Sequence, residues 1–235
     1  MGSAAHIGIV GVSAEGAALC YRTLCVEGAE LLGRHAHPEV SMHTYPLAEY
    51  MRSIDAGRWD EAGRLMLRSA AKLSGAGAEI LICPDNTVHQ ALDLVRDESP
   101  ARWLHIAEEV ASVCAARGFA RVGVLGTRYL MEGPVYPTKL QACGVEHLIP
   151  PPEDRERVNA VIFDELVYGR FEPGARRYFQ KVIERLRGRG CDAVVLGCTE
   201  IPLLIGEADS SLPVLDSTRL LARAALREAT RARGA

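Results

Sequence analysis

Along the chain, short unbroken apolar runs alternate with longer stretches in which apolar positions recur every three or four residues. The first pattern reads as a strand buried on both faces, the second as a helix with one face on a core. Six runs predict strands: His6–Val10, Glu39–His43, Glu79–Cys83, Arg121–Leu125, Val145–Leu148 and Ala193–Leu196. The helical patterns between them include Trp59–Leu73, Ala101–Ala116 and Ala175–Arg187. Gly75, Gly77, Gly118, Gly188 and Gly190 fall just past these helices, where a left-handed cap favours glycine. Pro150-Pro151-Pro152 predicts a connection, with Asp154 as the cap of the helix that follows. The alternation as a whole predicts an α/β fold of parallel sheets flanked by helices.

The pattern repeats. Ile7-Gly8-Ile9-Val10-Gly11 is echoed by Val122-Gly123-Val124-Leu125-Gly126, 115 residues later. The run Glu79–Cys83 with Pro84-Asp85-Asn86-Thr87 is echoed by Asp192–Leu196 with Gly197-Cys198-Thr199-Glu200, 113 residues later. Two similar Rossmann-like lobes follow, expected as residues 1–98 plus 214–235 and residues 99–213. In open α/β sheets ligands bind beyond the carboxyl ends of the strands, so matching loops from both lobes predict an active site in the cleft between them.

Asp85 and Cys198 hold equivalent places in the echo, each just after a buried strand and near a helix start. Two proton-transfer groups on opposite sides of a carbon suit stereochemical inversion: one removes a proton while the other delivers one to the opposite face. Main-chain N–H groups near Asn86-Thr87 and Thr199-Glu200 predict a hold on a substrate carboxylate. His89 and Glu200 follow the two positions at helical spacing, placed to orient them.

Composition narrows the setting. A formal net charge of -3 and 6% aromatic residues exclude a chain that is basic overall or presents a stacking surface, so no nucleic-acid partner is expected. No uncharged apolar run approaches the roughly 18 residues of a membrane span, and no membrane partner is expected. Seven scattered cysteines without a CxxC pair make a poor disulfide framework and a poor zinc site, so no metal is expected. With no basic segment ahead of the apolar residues in Met1–Val10, a cytoplasmic chain with reduced thiols is the expectation. Gly8, Gly11 and Gly16 do not satisfy GxGxxG, which removes dinucleotide binding from the expected functions.

Pro84-Asp85-Asn86-Thr87-Val88-His89 resembles the Pro-Cys-Asn-Thr-x-His motif of the aspartate/glutamate racemase family, and Gly197-Cys198-Thr199-Glu200-Ile201 its second motif, Gly-Cys-Thr-Glu. Ile7–Gly11, Leu104-His105-Ile106, Gly126-Thr127 with Tyr136, and Leu215-Asp216-Ser217-Thr218 extend the resemblance over nearly the whole chain. It implies a cofactor-independent racemase or isomerase with a catalytic residue from each lobe, acting on a small carboxylate or amino acid, and often a homodimer. Carried over by position, Cys198 is the second catalytic cysteine. Asn86, Thr87 and Thr199 bind the substrate carboxylate, with Ser13, Thr127, Tyr136 and Glu200 as further substrate-binding residues.

The chain departs from that pattern in three places. Asp85 stands where the first catalytic cysteine belongs, Ser13-Ala14-Glu15 replaces Met-Gly-Pro, and Leu221 replaces a frequent histidine. The first departure bears on the chemistry. Reference pKa values of about 3.9 for Asp and about 8.5 for Cys make the singly protonated pair a carboxylate opposite a thiol. The reversed arrangement lies roughly 6 kcal/mol higher before the protein shifts either group. Asp85 is therefore expected to accept a proton and Cys198 to give one. A decarboxylase or lyase using Cys198 as sole proton donor, and a non-catalytic small-anion binder, are the alternatives.

Overall fold

The computed structural model describes residues 4–231. The described residues form two compact units, 4–106 with 218–231 and 107–217. The first contains β1 (Ile7–Gly11), α1 (Ala14–Leu32), β2 (Val40–Thr44), α2 (Leu47–Asp55), α3 (Trp59–Gly75), β3 (Ile80–Ile82), α4 (His89–Val95) and β4 (Arg102–Trp103). After α5 (Ile106–Ala116), the second contains β5 (Arg121–Leu125), α6 (Arg128–Met131), α7 (Val135–Ala142), β6 (Glu146–Leu148), α8 (Pro152–Asp164), α9 (Pro173–Gly188), β7 (Ala193–Leu196), α10 (Ile201–Leu204) and β8 (Val214–Asp216). The final helix, α11 (Ser217–Arg231), returns the chain to the first unit.

Each unit has one all-parallel four-stranded sheet, in the orders β2-β1-β3-β4 and β6-β5-β7-β8. The two-lobed α/β class expected from the alternation is the class observed. The central strands β1, β3 and β7 are buried throughout, which is why they read as continuous apolar runs. Ile7, Ile9, Ile80 and Ile82 pack with Leu221, Ala225 and Leu226 of α11 in the first core. In the second, Leu125, Val194 and Leu196 pack with Val158, Phe179, Val182 and Leu186 from α8 and α9.

The echo is a register. Gly8 of β1 pairs with Leu81 of β3, and Gly123 of β5 pairs with Val194 of β7. A side chain at either glycine would crowd the helix above it, and at Gly8 would also collide with Leu81 and Ala78. A Cβ on Gly8 would lie 3.2 Å from Leu73 Cβ, and one on Gly123 would lie 2.7 Å from Leu186 Cδ1. Leu73 and Leu186 stand in the last turns of α3 and α9, each accepting an N–H beyond the helix end, from Ala78 at 3.0 Å and from Cys191 at 3.2 Å. Gly77 and Gly190 supply the positive φ, 99° and 83°, that turns each chain into the next strand. Leu73 and Leu186, Gly77 and Gly190, and Ala78 and Cys191 are each 113 residues apart, and the two strand glycines 115.

Four local expectations change. Ala101–Ala116 is not one helix: Arg102-Trp103 pairs with Ile80-Leu81, and α5 starts at Ile106. The pairing buries Trp103, whose indole N–H donates to Ser99 Oγ at 2.7 Å. Val214–Asp216 is an unpredicted strand beside β7. Asp154 is not the cap of α8. Pro151 is, and the buried Asp154 carboxylate instead accepts from Arg185 and from Tyr178. Gly75 and Gly188 end their helices, leaving the positive φ to Gly77, Gly118 and Gly190. The compact units divide after residues 106 and 217, with β4 in the first sheet and β8 in the second.

Candidate active site

In the first unit, β3 ends at Ile82 and the chain runs through Cys83, Pro84 and Asp85 before turning into α4. Asp85 lies four residues beyond Leu81 and four ahead of α4, with a turn between, so it is not the first residue of the helix. Its carboxylate accepts the Val88 N–H at 3.3 Å, closing the turn. Asp85 is half-buried and Asn86 buried. Cys83, directly behind, is fully buried. Its thiol is pushed well above the ordinary value, first by burial and then by the Asp85 carboxylate. Burial likewise raises the Tyr50 hydroxyl, with Cys83 and Asp85 adding to it. Tyr50 of α2 therefore lies within electrostatic reach of Cys83 and Asp85, a neighbour the sequence motifs do not signal. Ser13, leaving β1, caps α1 by accepting the Gly16 N–H at 3.2 Å.

In the second unit, Cys198 lies four residues beyond Val194, as Asp85 does beyond Leu81. Gly197 donates its N–H to Leu125 O at 2.7 Å, and a Cβ there would lie 2.5 Å from Leu130 Cδ2. Only glycine lets the exits of β5 and β7 close on each other in this way. The Cys198 thiol donates to Glu200 Oε2 at 3.0 Å, and the Thr199 hydroxyl donates to the same oxygen at 3.0 Å. The buried Glu200 side chain thus stands directly against the Cys198 sulfur. Thr127 caps α6, accepting the Leu130 N–H at 3.2 Å. The buried Tyr136 ring backs Gly197, and its hydroxyl, raised by burial, meets Ser217.

Of the predicted site residues, the first unit brings together Asp85, Asn86 and Thr87, with Ser13 at a neighbouring strand exit. The second unit brings together Cys198, Thr199 and Glu200, with Tyr136 against Gly197. A separate cavity of about 390 Å³ between Ile149, Val182 and Arg189 contains none of them.

A model of the Asp/Glu/hydantoin racemase family matches residues 7–225. The chain belongs to this family. Racemisation, the family's activity, is its enzyme class. The broad-specificity amino-acid racemase RacX of Bacillus subtilis is 24% identical over 191 residues, covering 80% of each chain. A Yersinia pestis protein provisionally described as an Asp/Glu racemase is 32% identical, with a TM-score of 0.88 over 96% of this chain and 99% of its own. An aspartate racemase homologue from Pyrococcus horikoshii is 28% identical, with a TM-score of 0.82 over the same shares. No helix among the described residues is long and apolar enough to cross a membrane.

Proposed function

We propose that this racemase inverts the α-carbon of a small amino acid or related carboxylate without a cofactor, with Asp85 and Cys198 as its two proton-transfer groups. The observation that carries the reading is the shared register of these two residues, four places beyond equivalent strand positions in two matching sheets. In one direction the Asp85 carboxylate takes the α-proton and the Cys198 thiol gives one to the opposite face. The carboxylic acid and thiolate that result are the starting state for the reverse direction. Glu200 already accepts the Cys198 proton in a hydrogen bond and assists in forming that thiolate. The overall equilibrium between enantiomers is untouched by the asymmetry.

The substrate carboxylate is held by Asn86, Thr87 and Thr199, with Ser13 and Thr127 at the neighbouring strand exits and Tyr136 behind the Cys198 loop. The negative charge of Asp85 restricts that carboxylate to these donors, because two carboxylates side by side repel. The proposed setting is the cytoplasm, with the chain as a homodimer, on the strength of the family resemblance.

Incubation in heavy water with a panel of amino and dicarboxylic acids tests the reading. The expected result is deuterium at the α-carbon together with loss of optical purity, the carbon skeleton intact. Loss of carbon dioxide or another fragment would point to a lyase with Cys198 as sole donor. Binding with neither exchange nor turnover across the panel would remove catalysis altogether.

A further inference from the structure

The two strand-exit loops share a feature beyond Asp85 and Cys198. In each, the carbonyl two residues ahead of the proton-transfer residue, at the end of its strand, accepts a hydrogen bond from a buried side-chain donor. In the first unit His89 Nε2 lies 3.0 Å from Cys83 O, and because a carbonyl only accepts, that nitrogen carries the proton. In the second unit the Ser217 hydroxyl donates to Leu196 O at 2.8 Å. Cys83 and Leu196 are 113 residues apart, the spacing of Asp85 and Cys198, but the donors are different residues on different elements. His89 belongs to α4 and Ser217 opens α11. Each donor is also buttressed by a buried ring. His105 meets His89 edge-on, with centroids 4.4 Å apart, and His105 Nε2 lies 3.5 Å from Asp93 Oδ1. Tyr136 meets Ser217.

Burying an imidazole where a leucine would fill the space is costly unless its hydrogen bonds have a use. Here the use is geometric. With Cys83 O held, the ring of Pro84 fixing φ, and Asp85 Oδ1 tied to Val88 N–H, few soft torsions remain ahead of the Asp85 carboxylate. In the second unit the same work falls to Ser217 and to the close contact of Gly197 with Leu125 O.

We infer that His89 and Ser217 are positioning residues, which aim Asp85 and Cys198 respectively by holding the carbonyl two residues ahead of each. The inference rests on the proposed roles of Asp85 and Cys198, and it deepens them. A misplacement of about 1 Å costs on the order of 100-fold in rate. Both His89→Leu and Ser217→Ala are therefore expected to lower kcat about 10- to 100-fold with KM nearly unchanged, whereas His89→Gln and Ser217→Thr, which keep a donor, recover most of it.

The decisive readout is the isotope effect with α-deuterated substrate, measured from each enantiomer. His89→Leu should raise it for the enantiomer that Asp85 deprotonates and Ser217→Ala for the opposite one, a skew that general loss of stability does not produce. Independently of turnover, His89→Leu should speed hydrogen exchange at the Val88 amide, which the Asp85 carboxylate protects. Equal isotope effects from both enantiomers in both variants, or unchanged Val88 exchange, would overturn the inference. If His89→Leu does not fold, Ser217→Ala must still show its one-sided isotope effect, and its failure to do so overturns the inference alone. If the wild-type chain proves not to racemise, the proposed function fails while the Val88 measurement still decides the role of His89.

Discussion

Leu73–Asp85 in one unit and Leu186–Cys198 in the other run through the same sequence of events: a helix end, a glycine with positive φ, a buried strand and an exit loop. They end on different chemistry. The Asp85 side chain accepts, taking the Val88 N–H, whereas the Cys198 side chain donates, giving its proton to Glu200. The residue matching Glu200 in the first unit is Thr87, so the acceptor carboxylate sits beside the thiol only. Backbone geometry and acid strength have thus varied independently. The sheets fix where each side chain stands, and under the proposed roles the side chain decides which way a proton most easily moves.

The comparison breaks first at the two residues themselves. Asp85→Asn and Cys198→Ala should each cost about 100- to 10,000-fold in net racemisation, the usual range for removing a positioned acid or base. Full turnover by Cys198→Ala with the true substrate would sever the link between the second loop and catalysis. Asp85→Cys makes the two loops chemically alike. Racemisation should survive, and the acid limb of its kcat/KM profile should move upward by about 4.6 pH units, from the carboxylate towards the thiol range. A profile that stays in place would mean that Asp85 does not titrate in the reaction.

Glu200→Gln keeps an oxygen for the thiol to donate to but cannot take its proton. About 10- to 100-fold slower exchange is expected from the enantiomer that Cys198 deprotonates, with little change from the other. The smallest effect lies away from the site. Burial and the neighbouring Lys72 hold the His43 imidazole below its ordinary value of 6.5. The folded chain therefore binds fewer protons at His43 than the unfolded chain does in the window beneath 6.5. Stability rises with pH across that window and is lost as pH falls through it. His43→Gln should flatten this slope, which urea unfolding at about pH 5.5 and 7.5 would measure.

Much of this frame was legible in the sequence because buried parallel strands leave unbroken apolar runs, and because Gly8 and Gly123 are glycines for a steric reason that repeats. The two short edge strands were not. Arg102-Trp103 has only two residues, too few to show a period, and its Trp103 joins smoothly onto the helical spacing of α5. Asp154 looked like a cap because it follows three prolines, yet its carboxylate is claimed by Arg185 and Tyr178 from a helix some thirty residues on. At the site, Asp85 and Cys198 emerged from the echo and the motif resemblance. The holds on Cys83 O and Leu196 O did not, since a side-chain bond to a carbonyl leaves no spacing to read. Tyr50 was missed for a similar reason: its approach to Asp85 depends on how α2 docks.

The central claim is that the two matching loops carry the two proton-transfer groups of one reaction. The most direct test follows α-hydrogen exchange in heavy water from each pure enantiomer with Asp85→Asn and with Cys198→Ala. The account predicts that inversion falls at least about 100-fold in both variants, and that each still exchanges one enantiomer, the two variants retaining opposite ones. Inversion at the wild-type rate by either variant, or loss of exchange from the same enantiomer in both, would contradict it.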